Sequence, residues 1–230
     1  MGPNRFFKTG AHAVVLVVLL GCLPLVCAAC KLYTVVKLNQ DESKAQGIKV
    51  YFENDNFNAA KYVDNIWKSK VIPYIIKKAG AADRVLAELA KDPDAAGSHY
   101  GFRASEEGIP WNLMIKGKGK IAAVNTASRA GTVALDLPPY DGKKEITLQI
   151  GPVIKGSSIR DSLSFISFDD FENQIVFAQL SNAFNKKVND QLLAKTDFAK
   201  LKGREIEFTG VFTADGSNDL LVTPVVLKTD

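Results

Sequence analysis

Arg160, Asp161, Asp169 and Asp170 form the densest polar group of the chain, and Phe165, Phe168 and Phe171 are interleaved with them. Charges set among rings suit a small polar ligand such as a sugar. The rings stack on its C–H face while carboxylates and a guanidinium bond its hydroxyls. Asn125 and Arg129, on an earlier turn, join Arg160, Asp161, Phe168, Asp169, Asp170 and Phe171 as candidate ligand or partner contacts. A plainer reading stands beside this one: Arg160 and Asp161 pin a loop by a salt bridge and local hydrogen bonds, and the Phe residues are core. Adjacent Asp169 and Asp170 suggest Ca²⁺, but the spaced oxygen ligands of an EF-type loop are missing around them. They also suggest glycoside hydrolysis, yet neighbouring residues on a strand point apart, and nothing in the sequence fixes a second carboxylate at the needed separation. The glycine-rich run Gly151 to Gly156 lacks the Gly-Lys-Ser/Thr ending of a phosphate-binding loop and reads as a turn.

The scarce residues exclude more. The three cysteines, Cys22, Cys27 and Cys30, are crowded into an apolar N-terminal stretch, which leaves no disulfide framework, four-cysteine zinc site or thiol nucleophile downstream. His12 lies in the same stretch, and His99 is the other of the two histidines, so a Ser-His-Asp triad has only His99 to draw on. His99 beside Tyr100 falls in a predicted loop with no partner visible in sequence. No catalytic set, metal site or cofactor is read from the sequence.

The N-terminal stretch has its own chemistry. Arg5 and Lys8 precede an uncharged run from Ala11 to Ala29, the charged and apolar regions of a bacterial export signal. The run ends in Cys27-Ala28-Ala29-Cys30 before Lys31, a pattern that resembles a lipobox, in which the chain is cut before a cysteine that receives lipid. Leu19-Leu20-Gly21-Cys22 is the alternative, although cutting there leaves apolar Leu23 to Ala29 on the mature chain. An uncleaved anchor is the other alternative, since Ala11 to Val36, broken only by Lys31, approaches the ~20 apolar residues that span a bilayer. Each reading puts the folded part outside the cytoplasm. Losing Arg5 and Lys8 with no acid takes the net charge from +4 to +2, which makes no case for nucleic acid.

The elements that must position these residues follow from periodicity. Tyr62, Val63, Ile66, Trp67, Val71, Tyr74 and Ile75 recur at helical steps, with Asn56 or Asn58 as cap and Pro73 as a break or kink. At that spacing Tyr62, Trp67 and Tyr74 read as core in preference to a sugar platform. A second helix is expected over Ala82–Lys91, then a short helix or turn and a loop to Trp111. Beyond Trp111 the period becomes two. Strands are predicted over Ile115–Asn125, Thr132–Leu137, Glu145–Ile150, Gln174–Gln179, Arg204–Thr213 and Leu220–Leu227, with a helix over Ser181–Ala194. Pro224 marks the last strand as an edge or a bulge. Strands, one helix, then two more strands is the order of an OB-type five-stranded Greek-key barrel. The fold class is therefore α+β, an N-terminal helical segment packed on a C-terminal OB-like barrel, with a β-sandwich as the alternative. The expected divisions are 1–29 signal peptide or anchor, 30–55 tether and lead-in, 56–111 helical subdomain and 112–230 barrel.

Ala60 to Trp67, Val124 to Gly131, Ile150 to Gly156, and Arg160 to Phe171 continuing to Asn173-Gln174 resemble a family of uncharacterised bacterial predicted periplasmic lipoproteins. The resemblance covers nearly the whole exported part. It implies an extracytoplasmic location, a lipobox cysteine just before a Lys, which favours Cys30, and gene neighbourhoods with ribose-type sugar ABC transporters, but no reaction. The expected function is thus a membrane-tethered, non-enzymatic accessory to a sugar ABC uptake system, with transporter components as partners. Direct binding of a sugar is the second reading, and a hydrolase using His99, Asp169 and Asp170 is the third.

Overall fold

A computed structural model describes residues 57–105, 108–171 and 173–229, all within one unit spanning 48–230. Cys22, Cys30 and the tether lie outside the described residues. Helix α1 (Ala59–Ile66) starts where Asn58 accepts a hydrogen bond from Lys61 N at 2.9 Å. Its continuation meets Pro73, which has no N–H to give. The turn before it, Trp67–Val71, widens to π geometry with Ile72 N–H bonded back to Trp67 O, and α2 (Ile72–Lys78) carries on with the proline in its first turn. Helix α3 (Ala82–Lys91) matches the expected span. Helix α4 (Pro93–Tyr100) is capped by Asp92, whose carboxylate accepts from Asp94 N and Ala95 N.

Two short strands fasten these helices to the barrel. Gly80–Ala81 (β1) pairs in parallel with Ile115 and Lys116, and Gly101–Phe102 (β2) pairs antiparallel with Leu113 and Asn112. Both dock on the first barrel strand, so the helical layer and the barrel share one core. That core joins Val63, Trp67, Val71 and Ile75 to Leu113, Ile115, Leu135, Leu148, Phe208 and Phe212. Trp67 is buried there against Phe184, as the core reading of the helical aromatics expected.

The barrel is closed by five strands: β3 (Asn112–Asn125), β4 (Thr132–Asp136), β5 (Ile146–Gln149), β6 (Glu205–Thr213) and β7 (Leu221–Thr229). They run in the order β3-β4-β5-β7-β6, and β6 closes back on β3. Only β5–β7 is parallel among these pairs. The long strand β3 serves two neighbours, pairing with β6 from Asn112 to Lys120 and with β4 from Lys120 onward, past a bulge between Ile121 and Ala123. Such a bulge bends a strand around a small barrel. Pro224 sits opposite Gly210 at a second bulge, in a strand paired on both sides, so it marks a bulge and not an edge. This is the expected OB-like barrel; the sandwich is not formed.

The segment between β5 and β6 departs from expectation. Short α5 (Ser158–Asp161) and a 3₁₀ turn (Phe168–Asp170) lead to α6, which is continuous over Gln174–Gln191. The strand expected over Gln174–Gln179 is the first turn and a half of this helix. Asn173 decides it: its side-chain oxygen accepts from Ile175 N (2.9 Å) and Val176 N (3.0 Å), capping the helix well before Ser181. Ile175 is 70% exposed on this helix. His99 is likewise helical, in α4, and its Nδ1 lies 2.6 Å from Glu88 Oε1 on α3.

Candidate ligand cavity

A cavity of about 770 Å³ opens at the end of the barrel where β3 begins, β6 ends and β7 begins. Asn112, Thr213 and Leu221 supply its barrel side. The remaining wall comes from the chain before β3 (Phe102, Ile109), the segment from Lys155 to Asp161, the rings of Phe168 and Phe177, and the β6–β7 loop with Asp215, Ser217 and Asp219. The volume falls within the ~300–1,000 Å³ of small-molecule sites.

Arg160 is the most heavily engaged polar residue of the wall. Its Nε donates to Asp161 Oδ1 at 2.7 Å, Nη2 lies 2.7 Å from the same oxygen, and Nη1 donates to the Phe177 carbonyl at 2.9 Å. The guanidinium also lies over the Phe177 ring, 3.8 Å from its centroid. Asp161 accepts in addition from the Ser157 hydroxyl. A second link ties this group to the barrel: Asn112 Nδ2 donates to the Asp161 carbonyl at 3.4 Å, and Thr213 Oγ1 donates to Asn112 Oδ1 at 2.7 Å. Across the mouth, Asp219 accepts from Lys144 Nζ at 2.6 Å and Thr147 Oγ1 at 2.7 Å. These bonds favour its charged form and hold its carboxyl below the usual aspartate value.

Of the eight candidate contacts, Arg160, Asp161 and Phe168 line this cavity and five do not. Asn125 closes a turn by accepting from Ala127 N at 3.1 Å. The side chain of Arg129 is exposed, and its carbonyl accepts from Val153 N at 3.1 Å. Asp170 reaches back to Ser167 N at 3.0 Å in a capping box, so this carboxylate holds the 3₁₀ turn, while Asp169 stands exposed beside it. The two acids thus sit on a helical turn. Phe171 is buried in an aromatic cluster with Phe57, Tyr62 and Phe177. Arg160 and Asp161 pin their own turn and also line the cavity.

Phe102, Asn112, Phe177, Asp215 and Asp219 were not singled out as contacts. They come from segments far apart in the chain: Asn112, Asp215 and Asp219 lie at or just beyond barrel-strand ends, Phe102 in β2 and Phe177 in α6. Glycine spacing also has a structural cause. A Cβ built on Gly151 would overlap Arg129 O and Gly131 N, and Ile150 N and Gly151 N donate to Gly131 O. The Val124–Gly131 and Ile150–Gly156 segments therefore meet backbone to backbone.

OB barrels commonly bind ligands on the face of their second and third strands, here β4 and β5. Gln149 of β5 is buried, and its amide is occupied: Nε2 donates to Thr223 Oγ1 (2.8 Å) and Lys155 O (3.1 Å), and Oε1 accepts from Lys155 N (2.7 Å). The loop after β5 thus covers that part of the face, and the cavity lies at the strand ends instead.

The family model described as predicted periplasmic lipoprotein (DUF2291) matches residues 13–228. The chain belongs to this family. The lipoprotein's folded body accordingly lies on the extracytoplasmic side of a bacterial membrane, and the family's function is unknown. Its fold is similar to the crystal structure of an OB-fold protein from Thermotoga maritima, with TM-score 0.62 and 18% identity over 76% of this chain and 99% of that one. No curated protein matches. None of the described helices is long and apolar enough to cross a membrane.

Proposed function

We propose that the lipoprotein is a non-enzymatic, membrane-tethered binding module that takes a small polar ligand, such as a sugar, in the cavity at the barrel end. The carrying observation is the lining. Phe168 and Phe177 line it beside Asn112, Asp215, Ser217 and Asp219, and the Arg160 guanidinium covers one face of the Phe177 ring. That pairing of apolar faces with hydroxyl-bonding groups suits a sugar. The non-enzymatic reading rests on how the ionisable groups are held. Asp219 is kept ionised by Lys144 and Thr147, which makes it a poor proton donor at neutral pH. His99 is engaged with Glu88 on α3.

Thermal unfolding of the full-length protein in detergent, with pentoses and hexoses at millimolar concentration, tests this. A rise in Tm that disappears in Phe168→Ala supports it. No shift with any sugar, confirmed by calorimetry, overturns it.

A second reading, an accessory that contacts the binding protein or permease of a sugar ABC uptake system, is favoured by the exposed apolar side chains Ile175, Phe165 and Phe168. Crosslinking from Ile175 in membranes, together with sugar uptake in a deletion strain, tests it. Unchanged uptake with no transporter component captured rejects it.

A further inference from the structure

We propose that the β4–β5 hairpin carries a divalent cation site of the Ca²⁺ class, built from Asp136, Asp141 and Glu145. Each residue brings one carboxylate oxygen to within 4.8 Å of those of the other two. Three such acids at a turn are often only a solvated cluster, and the burial of Asp136 separates this hairpin from that case. Asp136 is 5% exposed, and its Oδ1 is buried without any hydrogen-bond partner. A buried carboxylate oxygen left bare is costly, and a cation is one of the few groups that offsets the cost. Its Oδ2 is already taken, accepting from Gly142 N at 3.0 Å, so Oδ1 is the oxygen left for a ligand.

The other two acids are positioned by the same hairpin. Glu145 is fixed by Leu137 N, which donates to its Oε2 at 2.7 Å, while Glu145 N donates to Leu135 O. Asp141 Oδ1 accepts from Lys143 N at 2.9 Å, and Oδ2 pairs with Lys143 Nζ at 2.8 Å. That ion pair is exposed on both sides, so a cation displaces the ammonium at little cost. All-oxygen ligands, with no imidazole or thiolate among them, select a hard cation, and an irregular loop suits the flexible coordination of Ca²⁺ better than the strict octahedron of Mg²⁺. The site is distinct from the ligand cavity, none of whose lining residues belongs to it.

The test is equilibrium dialysis of the full-length protein in detergent against Ca²⁺ alone, with thermal unfolding in Ca²⁺ and in chelator. The expected result is one Ca²⁺ per chain, with Kd on the order of 10⁻⁴–10⁻³ M, the range of extracellular modules, and a Tm that rises with Ca²⁺. Asp141→Asn changes an exposed side chain outside the core and leaves the fold intact. It is expected to weaken Ca²⁺ binding about tenfold or more, with Tm in chelator unchanged. Asp136→Asn is expected to abolish binding. Absence of Ca²⁺ binding at 10⁻² M, on the order of ten times the weakest expected Kd, overturns the proposal. So does binding that survives unchanged in Asp141→Asn and Glu145→Gln. A wild-type protein indifferent to Ca²⁺ but stabilised by Asp136→Asn assigns the buried oxygen to a protonated acid and likewise overturns it.

Discussion

Arg160→Ala, combined with Asp161→Asn in a double-mutant cycle, separates the pinning role of this pair from its place in the cavity wall. The Arg160 side chain is 13% exposed and that of Asp161 32%, so the pair lies between a surface bridge and a fully buried one. Surface bridges contribute ~0–1 kcal/mol, and breaking a buried pair costs ~3–5 kcal/mol. Arg160→Ala removes charge-assisted bonds that contribute ~1.5–3 kcal/mol. It also removes the stack on Phe177, about 0.5–2 kcal/mol in a partly desolvated site. The Phe177 carbonyl lies in the first turn of α6 and keeps its helical role, so it adds little to the loss. These figures place Arg160→Ala at about 2–5 kcal/mol destabilising and the coupling with Asp161→Asn at about 1–2 kcal/mol. Urea unfolding of the four proteins measures both. Arg160→Lys is expected to recover only part of the loss, because an ammonium cannot form the fork to Asp161 or stack flat on the ring. A coupling below about 0.3 kcal/mol, the additivity expected of independent sites, refutes the claim that the pair pins this turn.

Gly151→Ala forces a Cβ into Arg129 O and Gly131 N, and the overpacking should cost about 1–3 kcal/mol in urea unfolding; a neutral substitution would mean the two loops do not meet this closely. For Asp219, the folded-state value lies below the unfolded one, so its contribution is complete above about pH 4 and is lost as pH falls through the lowered value. Lys144→Met should therefore reduce the fall in stability between neutral pH and about pH 3, read as Tm against pH, and an unchanged profile would reject this assignment. Cys30→Ala should leave the chain without lipid by intact mass and release it from membranes, with Cys22→Ala processed normally; lipid retained in Cys30→Ala moves the attachment point to another cysteine.

The helices and barrel strands were legible wherever apolar residues recur in a simple period. Val133 and Leu135 of β4, with Ile146 and Leu148 of β5, point into the barrel as their period of two requires. Gln174–Gln179 failed because six residues of mixed polarity fit a strand or a helix equally well. The deciding group, the Asn173 cap, acts through two backbone hydrogen bonds that hydropathy does not register. The candidate contacts divided for a related reason. Asn125 and Asp170 satisfy local hydrogen bonds, which is the commonest use of polar residues in turns, while the Arg129 carbonyl bonds to Val153 N of a loop distant in sequence.

The sequence by itself determined where this protein works and what framework it builds. Cysteines confined to the N-terminal stretch, the charged and apolar order of that stretch, and the change of period after Trp111 are local properties, carried by neighbouring residues. Tertiary structure decided the sites. The cavity exists because barrel closure brings Phe102, Asn112, Arg160, Phe177 and Asp219 to one end, and no spacing rule links residues so far apart. The bare oxygen of Asp136 is likewise a product of burial, since a carboxylate between Leu135 and Leu137 in a predicted strand falls on its polar face until the fold closes over it.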